Sequence, residues 1–217
     1  MNTLGIVVAA SFLVIAFNLG WRWASRKWSL PCPSLLAWSL DNSLVHRSPL
    51  TLKTLDRIGL RPGERVLEIG PGPGRLLIPA AKQVMPGGEV VGIDIQPKMI
   101  ERLKKNVEKA GLTNLTVILG DACQPHVPEA SFDVAFLCTT LGEIPDRSAA
   151  LAQCYRALKP GGRLSITEVI LDPHYQSQST VWRLAEGAGF RFESIEGGWW
   201  FFTASFIKPR GGDPTSH

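Results

Sequence analysis

Three carboxylates in this sequence each stand at or beside the end of an apolar run, a placement from which they could hold a ligand by its hydroxyl and amino groups. Glu68 lies in Val66-Leu67-Glu68-Ile69 and is followed by Gly70-Pro71-Gly72-Pro73-Gly74, with glycine at every second position. Such a loop lets backbone approach a ligand closely. Asp94 ends the run Glu89-Val90-Val91-Gly92-Ile93, 20 residues after Gly74, and a carboxylate there can accept hydrogen bonds from both hydroxyls of a ribose. Asp121 sits in Gly120-Asp121-Ala122 after Leu115-Thr116-Val117-Ile118-Leu119, where an adenine amino group could donate to it. The dinucleotide loop is spaced G-x-G-x-x-G, whereas here the third glycine comes one residue early and Arg75 takes the later place. A dinucleotide pyrophosphate is therefore not the expected ligand. Asp94 and Asp121 also have a plainer reading as caps of the turns or helices that follow them.

Positioning these acids requires parallel strands separated by helices. A fourth apolar run, Phe132 to Leu137, leads into Cys138-Thr139-Thr140-Leu141-Gly142-Glu143, and Leu158-Lys159-Pro160-Gly161-Gly162 closes a helix, turns, and starts a fifth strand through Val169. Gln96-Pro97 opens a helix with Met99, Ile100, Leu103, Val107 and Ala110 on one face and Gly111 at its end. Asp146 can cap another, with Leu151, Cys154, Tyr155 and Leu158 at helical spacing, and Ser48-Pro49 can start an earlier one with Leu52, Leu55 and Ile58 on one side. Pro79 falls inside the helix expected after the glycine loop, where an interior proline costs about 3 kcal/mol. A helix over Ser179 to Glu186 precedes two strands, Phe190 to Ile195 and Trp199 to Ile207, joined by a Glu-Gly-Gly turn as a hairpin. Strands alternating with helices predict a doubly wound sheet, whose ligands bind beyond the carboxyl ends of the strands.

The order of these features resembles that of class I S-adenosylmethionine-dependent methyltransferases: the acid-x-G-x-G-x-G loop, an acid on the next strand, Gly-Asp-Ala, and Leu-Lys-Pro-Gly-Gly. The resemblance spans residues 49–208 and implies an α/β fold with a seven-stranded, mostly parallel sheet and an antiparallel last strand. It also implies S-adenosylmethionine as cofactor. Glu68, Gly70 and Gly72 would line its methionine end, Asp94 would hold its ribose, and Asp121 with the Ala122 backbone would read its adenine. Pro71, Gly74 and Ile95 complete the implied set. A sulfonium methyl is already activated, so the protein's task is placement and exclusion of water. A general base is needed only for an acceptor that carries its proton at working pH, and Glu143, His174 and Tyr175 are the candidates, in loops after the fourth and fifth strands. Each has a plain reading too, Glu143 as a solvated loop acid and the other two as packing or capping residues.

The amino terminus carries a separate message. Thr3 to Gly20 holds no charged residue over 18 positions, a length that at about 1.5 Å per residue nearly crosses a bilayer's hydrocarbon core. Trp21, Arg22, Trp23, Arg26, Lys27 and Trp28 follow at once, the mixture expected where a helix leaves a membrane. Residues 3–23 are thus read as a transmembrane helix preceding the domain, 24–48 as an interfacial segment, and 209–217 as a disordered tail. A cleavable signal would carry its positive charge before the apolar run. The positive-inside rule puts the domain on the cytoplasmic side. Residues 1–48 account for three of the chain's four net positive charges, so its basicity marks a membrane flank, and no basic stripe suggests nucleic acid. The four cysteines show no metal-ligand spacing, and Cys138 reads as a small buried residue.

Tethering and the apolar segment Leu35 to Val45 point to a small-molecule or lipid acceptor: a phospholipid headgroup, a quinone or isoprenoid precursor, or another hydrophobic small molecule. Two other classes stay open on the sequence alone, a tethered module that binds the cofactor without turnover and an NAD-dependent oxidoreductase using Asp94 on the ribose.

Overall fold

The computed structural model describes residues 48–210, together with Gly5 and Gly20 of the preceding chain. The expected anchor and interfacial segment lie outside the described residues apart from Gly5, Gly20 and Ser48, as does the tail from residue 211. Among the described residues, no helix is long and apolar enough to cross a membrane.

The chain folds as α1 (Pro49–Ile58), β1 (Arg65–Ile69), α2 (Leu77–Gln83), β2 (Glu89–Asp94), α3 (Pro97–Ala110), β3 (Leu115–Leu119), β4 (Phe132–Cys138), α4 (Arg147–Ala157), β5 (Leu158–Val169), α5 (Gln178–Gly187), β6 (Arg191–Gly198) and β7 (Phe201–Ile207). A single seven-stranded sheet runs in the order β3-β2-β1-β4-β5-β7-β6. The strands β1 to β5 pair in parallel, and β7 runs antiparallel to both β5 and β6. This is the expected doubly wound sheet. Both faces of the inner strands are covered, so β1, β2 and β4 read as apolar runs rather than alternating ones, while the edge strand β6 alternates. One face packs Leu67, Ile93, Leu137 and Ile166 toward α4 and α5, and the other packs Val66, Val90 and Phe136 toward α2 and α3, whose Leu77 and Leu103 join the cluster. Between β5 and β7, the buried Thr167 and Thr203 hydroxyls share a hydrogen bond of 2.9 Å, which meets their polar needs inside the sheet.

Helix ends follow the local chemistry. The Ser48 hydroxyl accepts from the Thr51 amide, Pro49 takes the first turn, and Gly59 closes α1 at φ 64°. Asp146 accepts from the Ala149 amide at 2.9 Å to cap α4. Three expectations shift. Helix α1 buries Thr51 and Thr54 with Leu55 and Ile58, while Leu52 faces out, because Thr54 returns its hydroxyl hydrogen bond to the Leu50 carbonyl and can be buried at no polar cost. Pro79 is accommodated: α2 begins only at Leu77, so the proline occupies the first turn, where proline is tolerated. The β6–β7 turn is made by Trp199-Trp200 rather than Glu-Gly-Gly, because Gly197 and Gly198 are already paired with Phe202 and Phe201.

Candidate functional site

Where β1 ends, the chain must reverse over the sheet without a side chain in the way. Gly70 does so at φ 71°, donating its N–H to the Ile93 carbonyl at 2.8 Å. A Cβ on it would fall 2.4 Å from Thr140 Cγ2, so β1 and the loop after β4 meet there with no room for alanine. Gly74, at φ 99°, is similarly closed, its missing Cβ position lying 2.6 Å from Leu103 Cδ1 on α3. Gly72 differs, with nothing within 4 Å of that position. It opens instead on a cleft of about 550 Å³ at the carboxyl ends of β1, β2, β4 and β5, the location that doubly wound sheets give to ligands.

Asp94 is buried and lines that cleft. Its Oδ2 accepts from the Gly72 amide at 3.0 Å and its Oδ1 from the Gln96 amide at 2.9 Å. One side chain therefore ties the glycine loop to the start of α3. Each carboxylate oxygen keeps a further lone pair for a ligand hydroxyl. Burial raises the Asp94 pKa, opposed by these two amides. Glu68, at 2% exposure, lines the same cleft. Its Oε2 is buried with no hydrogen-bond partner, and burial pushes its pKa to about 8, with Arg75 acting against the rise. A buried carboxyl oxygen beside a cleft can accept from a cationic donor. Arg75 lines the cleft nearby and donates to Cys138 Sγ at 3.1 Å.

At the opposite end, Asp121 Oδ1 accepts from the Cys123 amide at 2.8 Å. The capping reading of Asp121 is thus satisfied by one oxygen, and the residue still lines the cleft beside Ile95, Gly120 and Ala122. All the residues expected to meet the cofactor converge here except Gly74, whose role is to let the loop close on α3.

Of the base candidates, only Glu143 lines the cleft, from the short turn Leu141–Glu143 after β4. His174 and Tyr175 do not. The loop after β5 presents Leu171, Asp172 and Pro173 to the cleft and then turns inward. The His174 amide donates to Asp172 Oδ1 at 2.7 Å, and its carbonyl accepts from Gln176 Nε2. That carbonyl presses on Gly142 so closely that no Cβ fits there. Tyr175 points toward the β6–β7 hairpin, donating its hydroxyl to the Trp199 carbonyl and packing edge-on against Phe202 at 6.2 Å.

Sequence reasoning passed over the apolar part of the cleft wall, to which Leu50 of α1, Ile144, Pro145, Val169 and Leu171 contribute. It also missed Glu168, a nearly fully buried acid beside this wall, whose Oε2 accepts from the Gln176 amide at 3.1 Å while Oε1 is unpartnered. Burial lifts its pKa to about 8. A lone acid inside the apolar-rich fifth strand was the available signal.

Comparison with known proteins is concordant with this geometry. Residues 60–200 match the family profile described as a methyltransferase domain. Nocamycin O-methyltransferase of Saccharothrix syringae is 38% identical over 125 residues, 58% of this chain and 45% of that protein. Demethylmenaquinone methyltransferase of Listeria welshimeri is 30% identical over 142 residues, 64% of this chain and 57% of that protein. The chain spans about half the length of the curated relatives it matches. Among solved structures, an S-adenosylmethionine-dependent methyltransferase from Aquifex aeolicus is 25% identical with a TM-score of 0.75, over 82% of this chain and 100% of that one.

Proposed function

The chain belongs to the methyltransferase domain family, with S-adenosylmethionine as cofactor, and we propose that it moves the methyl group to a lipophilic acceptor presented at a membrane. The oxidoreductase alternative falls with the family assignment. One observation carries the cofactor's placement: an open glycine loop and two buried carboxyls, Glu68 and Asp94, on adjoining parallel strands around one cleft. In this reading the unpartnered Glu68 Oε2 takes the ammonium of the methionine end, Asp94 the ribose hydroxyls, and Asp121 with Ala122 the adenine edge. Gly70, Pro71 and Gly72 let the chain pass beneath it, and Ile95 flanks it. The cofactor supplies a methyl group on a positively charged sulfur, ready for attack by a nucleophilic atom.

What remains for the protein is orientation, dryness and, for a protonated acceptor, removal of a proton. Asp94 contributes orientation by fixing the loop and α3 together. Dryness follows from the apolar wall of Leu50, Ile144, Val169 and Leu171. Glu143, the one base candidate lining the cleft, is placed to take a proton from an acceptor held against that wall. His174 and Tyr175 serve in this account as supports of the loop rather than as bases.

Support for a lipophilic acceptor comes from that wall, from the uncharged span Thr3–Gly20, and from a relative whose name gives demethylmenaquinone as its substrate. The same span, followed by Arg22, Arg26 and Lys27, supports single-pass anchoring with the domain on the cytoplasmic side. The test is incubation of the full-length protein with methyl-labelled cofactor and a membrane lipid extract. Label in an organic-phase product is expected. Turnover confined to water-soluble or protein acceptors would overturn the acceptor assignment and leave the cofactor reading standing.

A further inference from the structure

Two adjacent tryptophans form the tip of the β6–β7 hairpin, and both are exposed, Trp199 at 68% and Trp200 at 54%. Hairpin tips are ordinarily polar, and single exposed apolar residues need no explanation, but a contiguous group does. These two have company. The Ile170 amide donates to the Trp200 carbonyl at 2.8 Å, which sets the tip beside Leu171, a residue 81% exposed that also lines the cleft. From α1, Leu50, 37% exposed, lines the same cleft. The hairpin is held firmly in this pose. Tyr175 donates to the Trp199 carbonyl, and the Arg57 guanidinium of α1 stacks on Phe201 at 4.3 Å, joining helix and hairpin.

We propose that this rim, led by Trp199 and Trp200 with Leu171 and Leu50, seats the mouth of the cleft on the surface of a lipid bilayer. Three observations select a bilayer as the occupant. Indoles favour the headgroup region, where an apolar ring and a polar N–H are both satisfied. The described domain begins at Ser48, two residues before the cleft-lining Leu50, so the chain enters the domain beside this edge, with 47 residues before it. Those residues include the uncharged span Thr3–Gly20 and the apolar-rich stretch Leu35 to Val45, whose natural destination is the same surface. A rim that meets the bilayer lets an apolar acceptor pass from lipid to cleft without crossing water, the step that would otherwise cost about 25 cal/mol per Å² of apolar surface exposed. This inference rests on the membrane-tethered reading above, and its test separates the two.

The full chain is reconstituted into vesicles of phosphatidylcholine and phosphatidylglycerol, with or without bromine at a shallow acyl position, beside the double variant Trp199→Ser/Trp200→Ser. Emission lost in the variant isolates these two indoles from the other five tryptophans in the chain. Binding of S-adenosylhomocysteine by both forms verifies that the variant is folded. The expected result is that brominated lipid quenches most of the difference emission, while acrylamide in the water quenches little. Protein that floats with the vesicles but whose difference emission is quenched by acrylamide and not by bromine overturns docking and leaves the tether intact. Quenching by neither places the rim against protein, either residues 29–47 or a second copy, and also overturns it. A chain that does not float with vesicles at all contradicts both readings.

Discussion

Glu68 stands to change most when a cation arrives. Its carboxyl is buried, unpartnered at Oε2, and holds its proton up to about pH 8. An ammonium placed against it would favour the charged form and expel that proton. Calorimetric binding of S-adenosylhomocysteine at pH 7, run in buffers of different ionisation enthalpy, should therefore report release of about one proton. The variant Glu68→Gln should report none, and equal release from both proteins would remove Glu68 from the methionine end. Asp94 makes a different kind of contribution, since its oxygens already hold two amides at 3.0 and 2.9 Å. Replacement by asparagine keeps the shape but leaves one acceptor oxygen for four donors. Affinity for the same ligand should fall by about 1.5–3 kcal/mol, the worth of hydrogen bonds to a charged group, which is roughly ten- to a hundredfold. Titration of Asp94→Asn checks this, and an unchanged affinity would place the ribose elsewhere.

The glycine loop works by two distinct means, and substitution separates them. In Gly70→Ala the new methyl would sit 2.4 Å from Thr140 Cγ2 and 2.7 Å from Thr140 Oγ1, so rotation of that side chain gives no relief. A stability loss of about 1–3 kcal/mol is expected in denaturant titration. Gly72→Ala meets nothing within 4 Å. Its strained φ of 54° costs about 1–2 kcal/mol, but its methyl projects into the cleft, so cofactor affinity should fall further than stability does. The reverse ranking would refute the packing assigned to these two turns. Strands, their order and the acids near their ends could be read from the residues because burial on both faces makes parallel strands continuous apolar runs, and because the carboxyl ends are where polar residues resume. Local capping was equally legible at Ser48, Asp146 and Gly111. What could not be read depends on contacts distant in sequence. That Thr140 closes over Gly70, that Leu50 and Leu171 line one cleft, and that Gly142 gives way to the His174 carbonyl are properties of the packed loops. The spacing of Asp172 to Tyr175 placed the loop on the ligand side, but only the hydrogen bond from Tyr175 to Trp199 decides which side chains turn away.

Taken together, the domain carries two acids whose folded-state pKa values are about 8 against an ordinary 4.5, Glu68 and Glu168. Between those values the folded chain keeps protons that the unfolded chain has released, so this contribution to stability is full below pH 4.5 and is lost as pH rises toward 8. Ligand-free protein should accordingly melt at a higher temperature at pH 5.5 than at pH 8. The double variant Glu68→Gln/Glu168→Gln should flatten that difference, and a wild-type profile rising over the same interval would contradict the burial of these groups. A fold that keeps a buried acid with an unpartnered oxygen, Glu68, in the lining of a cleft at the carboxyl ends of its strands is built around a ligand. The most direct test of that claim is calorimetric titration of the folded, full-length protein with S-adenosylmethionine and S-adenosylhomocysteine, with NADH as comparison. Saturable one-site binding of the first two, sharply weakened in Asp94→Asn, with no heat from NADH, is the predicted result. Well-folded protein that binds neither sulfur compound would contradict the account.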